Sequence, residues 1–299
     1  MTPKPNLTLG IDLASQPTST AICAIKWDDG LPEIIQLARG HIPADERAEA
    51  PRTRLHNRAL KRAILGCFDG NEPRLEVTKV GIDAPFGWPD AFIGHVSDWH
   101  YRSQWNVELG QLESPEEMHR MELRLTDRKV WARPEIAKKP LSVSTDKLAY
   151  PALRCVTLLA DLKRLNDKDV SRDGSGIACE VYPDPALRIW SRESNGGLSG
   201  RVSYKGKGNE NIRRDLVSII KGETGLRAED HFFEQCEESD DCLDALVCAL
   251  MARAVTIGAT VTPTEAGLNA DEISQVEREG WIHLPTDARS LGLLAALRT

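Results

Sequence analysis

No two of the seven cysteines stand in C-x-x-C spacing, which argues against a structural zinc site and against a thioredoxin-like redox pair. Cys23, Cys67, Cys155, Cys179, Cys236, Cys242 and Cys248 are odd in number and mostly sit inside apolar runs, as buried reduced thiols do. Long apolar runs are missing too. The longest, Ala245 to Ala252, is far short of the roughly 20 residues a membrane span needs. Residues 1–6 lack the basic, apolar and cleavage-site succession of an export signal, so a cytoplasmic protein without membrane contact is expected. An excess of positive charge is absent: the net charge is −7, and nothing attracts nucleic acid globally. There is no G-x-S-x-G serine elbow. Gly206-Lys207-Gly208 is not a P-loop, because no Ser or Thr follows the lysine. Neither internal repeats nor low-complexity segments occur.

What remains is the composition of a soluble globular protein, 41% apolar and 28% charged over 299 residues, long enough to bury a substantial core. Three local basic clusters stand against the acidic total. They are Arg52, Arg54, Arg58, Lys61 and Arg62; Arg120, Arg124, Arg128, Lys129 and Arg133; and Lys205, Lys207, Arg213 and Arg214. Taken singly, each reads as a solvated helix face or loop.

Most informative are aspartates placed where apolar runs end: Leu-Gly-Ile-Asp at Asp12, Val-Gly-Ile-Asp at Asp83, and Asp240-Asp241-Cys242-Leu243-Asp244 opening a long apolar helix. Withdrawing a carboxylate from water without a partner costs several kcal/mol, of the order of a small domain's whole stability. A divalent cation shared among several carboxylates resolves the problem, since hard oxygen donors suit Mg²⁺ or Mn²⁺. Individually, Asp12 and Asp83 read equally well as turn residues, Asp240 as a helix N-cap and Asp241 as a complement to the helix dipole. Asp244 resists such a reading, because its neighbours Leu243, Ala245, Leu246 and Val247 imply burial.

Strands are expected at Leu7–Leu13, Thr20–Trp27 and Pro32–Arg39, the latter two joined by the hairpin signal Asp28-Asp29-Gly30. Helical periodicity follows over Arg52–Phe68, then a strand at Val77–Asp83. Residues 85–150 read as an irregular insertion or lid with one helix over Pro115–Trp131. A helix at Leu148–Leu165 and a strand at Ile177–Tyr182, ended by Pro183 and Pro185, come next. The stretch at about 192–210 is glycine-rich and mobile-looking. It leads into helices at Asn209–Ile220 and Asp240–Ile257, with a short final strand near Trp281–Pro285. The chain is expected to be one α/β domain over residues 1–299, its mixed sheet holding three antiparallel strands and then parallel ones, flanked by helices.

Six blocks carry a resemblance: Gly-Ile-Asp-Leu-Ala (10–14), Gly-Ile-Asp-Ala-Pro-Phe-Gly-Trp-Pro (81–89), Arg-Leu-Thr-Asp-Arg (124–128), Glu-Val-Tyr-Pro (180–183), Asp-Asp-Cys-Leu-Asp-Ala-Leu (240–246) and Glu-Gly-Trp-Ile-His-Leu-Pro (279–285). Together with the β-β-β-α-β order they resemble the domain of unknown function 429 family, predicted nucleases of the ribonuclease-H-like superfamily. The resemblance implies a ribonuclease-H-like sheet and catalytic metal ligands at Asp12, Asp83, Asp241 and Asp244, with Glu180 as an outer ligand or substrate contact. It also implies Mg²⁺ or Mn²⁺, a DNA or RNA substrate, and phosphodiester hydrolysis with two ions. Arg128, Lys205, Lys207 and Arg213 are candidates for holding phosphates. Trp88, Trp99, Tyr101 and Trp105 are candidates for base stacking, with core packing as the simpler reading. Two rivals differ in class. Actin-like phosphotransferases share the core, yet Ala14 and Ala84 stand where their phosphate turns carry glycine. A non-catalytic nucleic-acid-binding module would not need the carboxylates.

Overall fold

The computed structural model describes residues 6–27, 31–40, 52–64, 76–105, 115–136, 138–166 and 169–295. The hairpin signal at 28–30, Cys67 and the end of the helix expected to reach Phe68 lie outside them. Strands β1 (Asn6–Asp12), β2 (Ala21–Trp27) and β3 (Glu33–Arg39) form an antiparallel meander. Helix α1 (Arg52–Ile64) then crosses over, and β4 (Val77–Asp83) lies parallel to β1, as a helical crossover requires. β5 (Ala178–Val181) and β6 (Ile282–His283) extend the parallel half. The six-stranded order β3-β2-β1-β4-β5-β6 is the mixed α/β sheet expected from the sequence, consistent with a ribonuclease-H-like arrangement. Among the described residues no helix is long and apolar enough to cross a membrane.

Both sheet faces are covered, so the central strands are apolar in successive positions rather than alternating with polar ones. Leu7, Leu9 and Ile11 of β1 pack with α1 and with α5 (Ala149–Asn166). On the other face lies α9 (Asp240–Thr256), packed against β1, β2 and β4 and buried from Cys242 to Ala254. This helix touches the sheet backbone directly. Gly10 and Gly81, register partners on β1 and β4, present no side chain to it, and a Cβ on Gly81 would lie 2.2 Å from the Cys248 carbonyl oxygen. Thr8 on the same face donates to the Ala249 carbonyl at 2.9 Å. All six described cysteines are buried with free thiols.

Elsewhere the structure departs from sequence expectation for local reasons. The helix expected over Pro115–Trp131 is two, α3 (Pro115–Glu122) and α4 (Leu125–Trp131), because Arg124 takes an extended backbone and Asp127 caps the second. The insertion also carries α2 (Asp90–Arg102). Pro183 and Pro185 end the strand as expected and also open a helix. They occupy the first turn of α6 (Pro183–Trp190), where no N–H is needed. α7 (Glu210–Thr224) follows. Four helices were not expected: α2, α6, α8 (Asp230–Glu238) and α10 (Ala270–Glu279), the last opened by the capping box of Asn269 and Glu272. Ser239, not Asp240, is the N-cap of α9, its hydroxyl accepting from Cys242 N.

On β6, His283 is 3% exposed. Its Nε2 donates to the Asp173 carbonyl at 2.9 Å, which leaves Nδ1 to accept from the Thr260 hydroxyl at 3.1 Å. Burial keeps the ring neutral and lowers its pKa from 6.5 to about 4. The unfolded chain binds this proton more readily, so the contribution is complete above pH 6.5 and is lost as pH falls toward 4. The difference corresponds to about 3 kcal/mol. Urea unfolding of wild type and His283→Gln from pH 7.5 to 4 is expected to show the wild type losing about that much more stability. Parallel pH profiles would contradict it.

Candidate metal centre

Asp12 and Asp83 end adjacent parallel strands and are register partners, so their backbones lie about 4.8 Å apart. Alternation along each strand puts both side chains on the face of Gly10 and Gly81, the face that α9 covers. There Asp244, in the second turn of α9, comes down between them. Carboxylate oxygens of Asp12, Asp83 and Asp244 all lie within 4.8 Å of one another. Asp244 is 2% exposed, while Asp12 and Asp83 are partly open to a cleft of about 420 Å³. Ala14, Pro85, Lys138, Leu141, Pro151 and Tyr182 contribute to its walls. The insertion thus supplies one side of the cleft.

The cluster is electrostatically frustrated. Burial, then repulsion from Asp244 and Asp83, raises Asp12 well above the usual carboxylate range. Burial outweighs the attraction of Lys205 and lifts Asp83 to about 7. Asp244 is raised by burial as well, although Lys205 and Tyr204 oppose this. The Tyr204 hydroxyl donates to Asp244 Oδ1 at 2.5 Å and Lys205 Nζ to Oδ2 at 2.6 Å. A donor set made of carboxylate oxygens alone, converging from three elements and carrying uncompensated negative charge, fits a hard divalent cation.

Asp241 does not join this group. Its Oδ2 accepts from Arg39 Nε at 2.5 Å, which draws it toward the β3 edge, although its charge still acts on Asp12. Glu180 lines the same cleft but is not one of the three converging carboxylates. It pairs in register with Ile82, so it projects from the opposite sheet face to Asp83, and both its oxygens are taken by Arg124 at 2.6 and 2.8 Å. Arg124 simultaneously engages Asp127, at 3.0 Å from both carboxylate oxygens. Glu279, 1% exposed, accepts from the first backbone N–H of α2 and of α4, Asp90 N at 2.7 Å and Leu125 N at 2.6 Å. The blocks at 124–128, 180–183 and 279–285 are therefore one structural knot that fastens the insertion to the sheet.

Among the expected phosphate contacts, only Lys205 lines the cleft beside the carboxylates. Arg213 is 1% exposed. It donates to the carbonyls of Tyr204, Gly206, Glu237 and Glu238, which pins the Lys205 loop against the end of α8. Arg128 lies on α4 with its charge acting on Glu272 of α10, and Lys207 is exposed on the glycine turn. Arg188 holds the carbonyls of Gly200 and Val202, each at 2.8 Å, so buried arginines tie the glycine-rich stretch at two places. Trp99, Tyr101 and Trp105 are exposed on the insertion, whereas Trp88 is partly buried. Tyr204 was not expected at the site; nothing in its sequence neighbourhood marks it as the partner of an aspartate forty residues on.

Comparison with curated proteins and with solved structures finds no match. A family model described as Protein of unknown function (DUF429) matches residues 10–267, a span that includes Asp12, Asp83, Asp244, Tyr204 and Lys205. The chain belongs to the DUF429 family.

Proposed function

We propose that the protein is a metal-dependent nuclease that hydrolyses phosphodiester bonds in DNA or RNA, with Mg²⁺ or Mn²⁺ held by Asp12, Asp83 and Asp244. The observation that carries the reading is the convergence of these three carboxylates, from β1, β4 and α9, at the edge of an open cleft. Left to themselves they repel a phosphodiester. Binding of a divalent cation would cancel the negative charge of the site, polarise a phosphoryl oxygen and lower the pKa of a bound water. The chain's own residues provide the rest. Tyr204 orients the Asp244 carboxylate, Lys205 presents a positive charge to the cleft, and the walls from Pro85, Pro140 and Pro151 restrict the approach. No side-chain nucleophile is needed, since water attacks. The exposed rings of Trp99, Tyr101 and Trp105 suit unpaired bases.

A panel of labelled single-stranded, duplex, hybrid and branched substrates, assayed with Mg²⁺ and with Mn²⁺, tests this. Metal-dependent cleavage of at least one substrate is expected, falling at least about 100-fold in Asp12→Asn. Undiminished cleavage by Asp12→Asn would remove the mechanism. Tight ATP binding with hydrolysis, and no cleavage of the panel, would move the protein to the phosphotransferase class.

A further inference from the structure

Several acidic residues around the cleft are already paired with arginines. Asp241 is bound by Arg39 at 2.5 Å, Asp184 by Arg188 at 2.6 Å, and Glu180 and Asp127 share Arg124. On the carboxylates of the cluster itself, Asp12, Asp83 and Asp244, the ammonium of Lys205 acts in common. It lies 2.6 Å from Asp244 Oδ2, with Tyr204 on Oδ1, so each oxygen of Asp244 already has a protein donor.

Lys205 is not an ordinary flexible surface lysine. The preceding carbonyl, of Tyr204, accepts from the buried Arg213, and the following amide, of Gly206, donates to Asp240 Oδ2 at 3.1 Å. Its backbone is therefore fastened on both sides, while the side chain remains 44% exposed toward solvent. With all three carboxylates ionised, as ligation requires, three negative charges and one positive leave a deficit of two, which a single divalent ion cancels. A second divalent ion beside the ammonium would leave a net positive group at close range in a partly dry site, which is unfavourable.

We infer that Lys205 is a built-in second cation: the centre takes one divalent ion, held chiefly by Asp12 and Asp83, while the Lys205 ammonium keeps the place on Asp244 that a second ion would otherwise occupy. This rests on the metal-centre reading above and replaces the two-ion expectation drawn from the sequence resemblance. The lysine then also offers its remaining protons to a phosphate in the cleft.

Titration of the full-length protein with Mn²⁺, followed by calorimetry and by the free-ion paramagnetic resonance signal, decides it without any turnover assay. Wild type is expected to bind one ion per chain, and so is Lys205→Arg, which keeps the charge. Lys205→Met is expected to bind two. Two ions in wild type would overturn the inference while leaving the metal centre intact, as would one ion in both wild type and a folded Lys205→Met. No binding of Mn²⁺ by wild type would overturn the metal centre and the inference together. Should Lys205→Met not fold, the wild-type stoichiometry alone still supports or refutes the assignment.

Discussion

Gly10→Ala is expected to cost about 3 kcal/mol or more, the upper end of what overpacking does to a core, and to abolish metal binding as well. A Cβ at this position would lie 2.0 Å from the Ala245 carbonyl oxygen, 2.2 Å from Ala249 N and 2.9 Å from the Cys248 carbonyl carbon. All three are backbone atoms of α9, so no side chain can rotate aside. The helix itself has to move away from the sheet, and it is buried along nearly its whole length. Such a loss is a large share of the 5–15 kcal/mol that stabilises an ordinary domain. Because α9 carries Asp244 and the strands carry Asp12 and Asp83, whatever lifts the helix also spreads the carboxylates. Gly81→Ala should behave alike, with its Cβ 2.2 Å from the Cys248 carbonyl oxygen. Gly222→Ala is the control: it is helical, nothing lies within 4 Å of its Cβ, and a gain of up to about 1 kcal/mol is expected. Urea unfolding of the three variants, with Mn²⁺ titration of those that fold, measures both effects. A Gly10→Ala protein within about 1 kcal/mol of wild type would show that α9 does not rest on the strand as described.

The same glycines show what was readable in the sequence. Gly-Ile-Asp twice, each at the end of an apolar run, signals two buried strands with a carboxylate at the tip, and β1 and β4 fall within a residue of where periodicity puts them. That the two aspartates are register partners depends on strand pairing, which no local pattern encodes. Asp244 was legible because apolar neighbours surround it. Asp241 could not be separated from it by spacing alone, since residues three apart share a helix face, and the arginine that claims it lies 202 positions away on β3. Arg213 reads from the sequence as a phosphate contact or as surface charge. Its burial is possible only because four carbonyls, two from the Tyr204–Gly206 loop and two from the end of α8, converge on its guanidinium, an arrangement created by the fold. Pro183 and Pro185 end the strand as expected, but the residue type that ends a strand also opens a helix, and here it does both.

Arg124→Met is expected to lose about 4 kcal/mol, the usual result of removing one partner from a buried charge group. The guanidinium is 2% exposed and sits between Glu180 and Asp127, two carboxylates that are themselves 2% and 3% exposed. Burial raises the Glu180 pKa and Arg124 opposes that rise, so without the arginine Glu180 has to take up a proton or remain charged in a dry site. Adding Glu180→Gln to Arg124→Met removes one of the two stranded charges and should restore about 1–2 kcal/mol, a coupling that a double-mutant cycle isolates. Additive losses would mean that the pair is not coupled. The series also separates a metal ligand from a structural carboxylate. Glu180→Gln alone keeps Asp12, Asp83 and Asp244 in place, and its Mn²⁺ affinity should stay within about threefold of wild type, whereas Asp83→Asn should weaken binding at least about tenfold. If the two substitutions instead weaken Mn²⁺ binding equally, Glu180 belongs to the ion's coordination and the salt bridge to Arg124 breaks when metal enters.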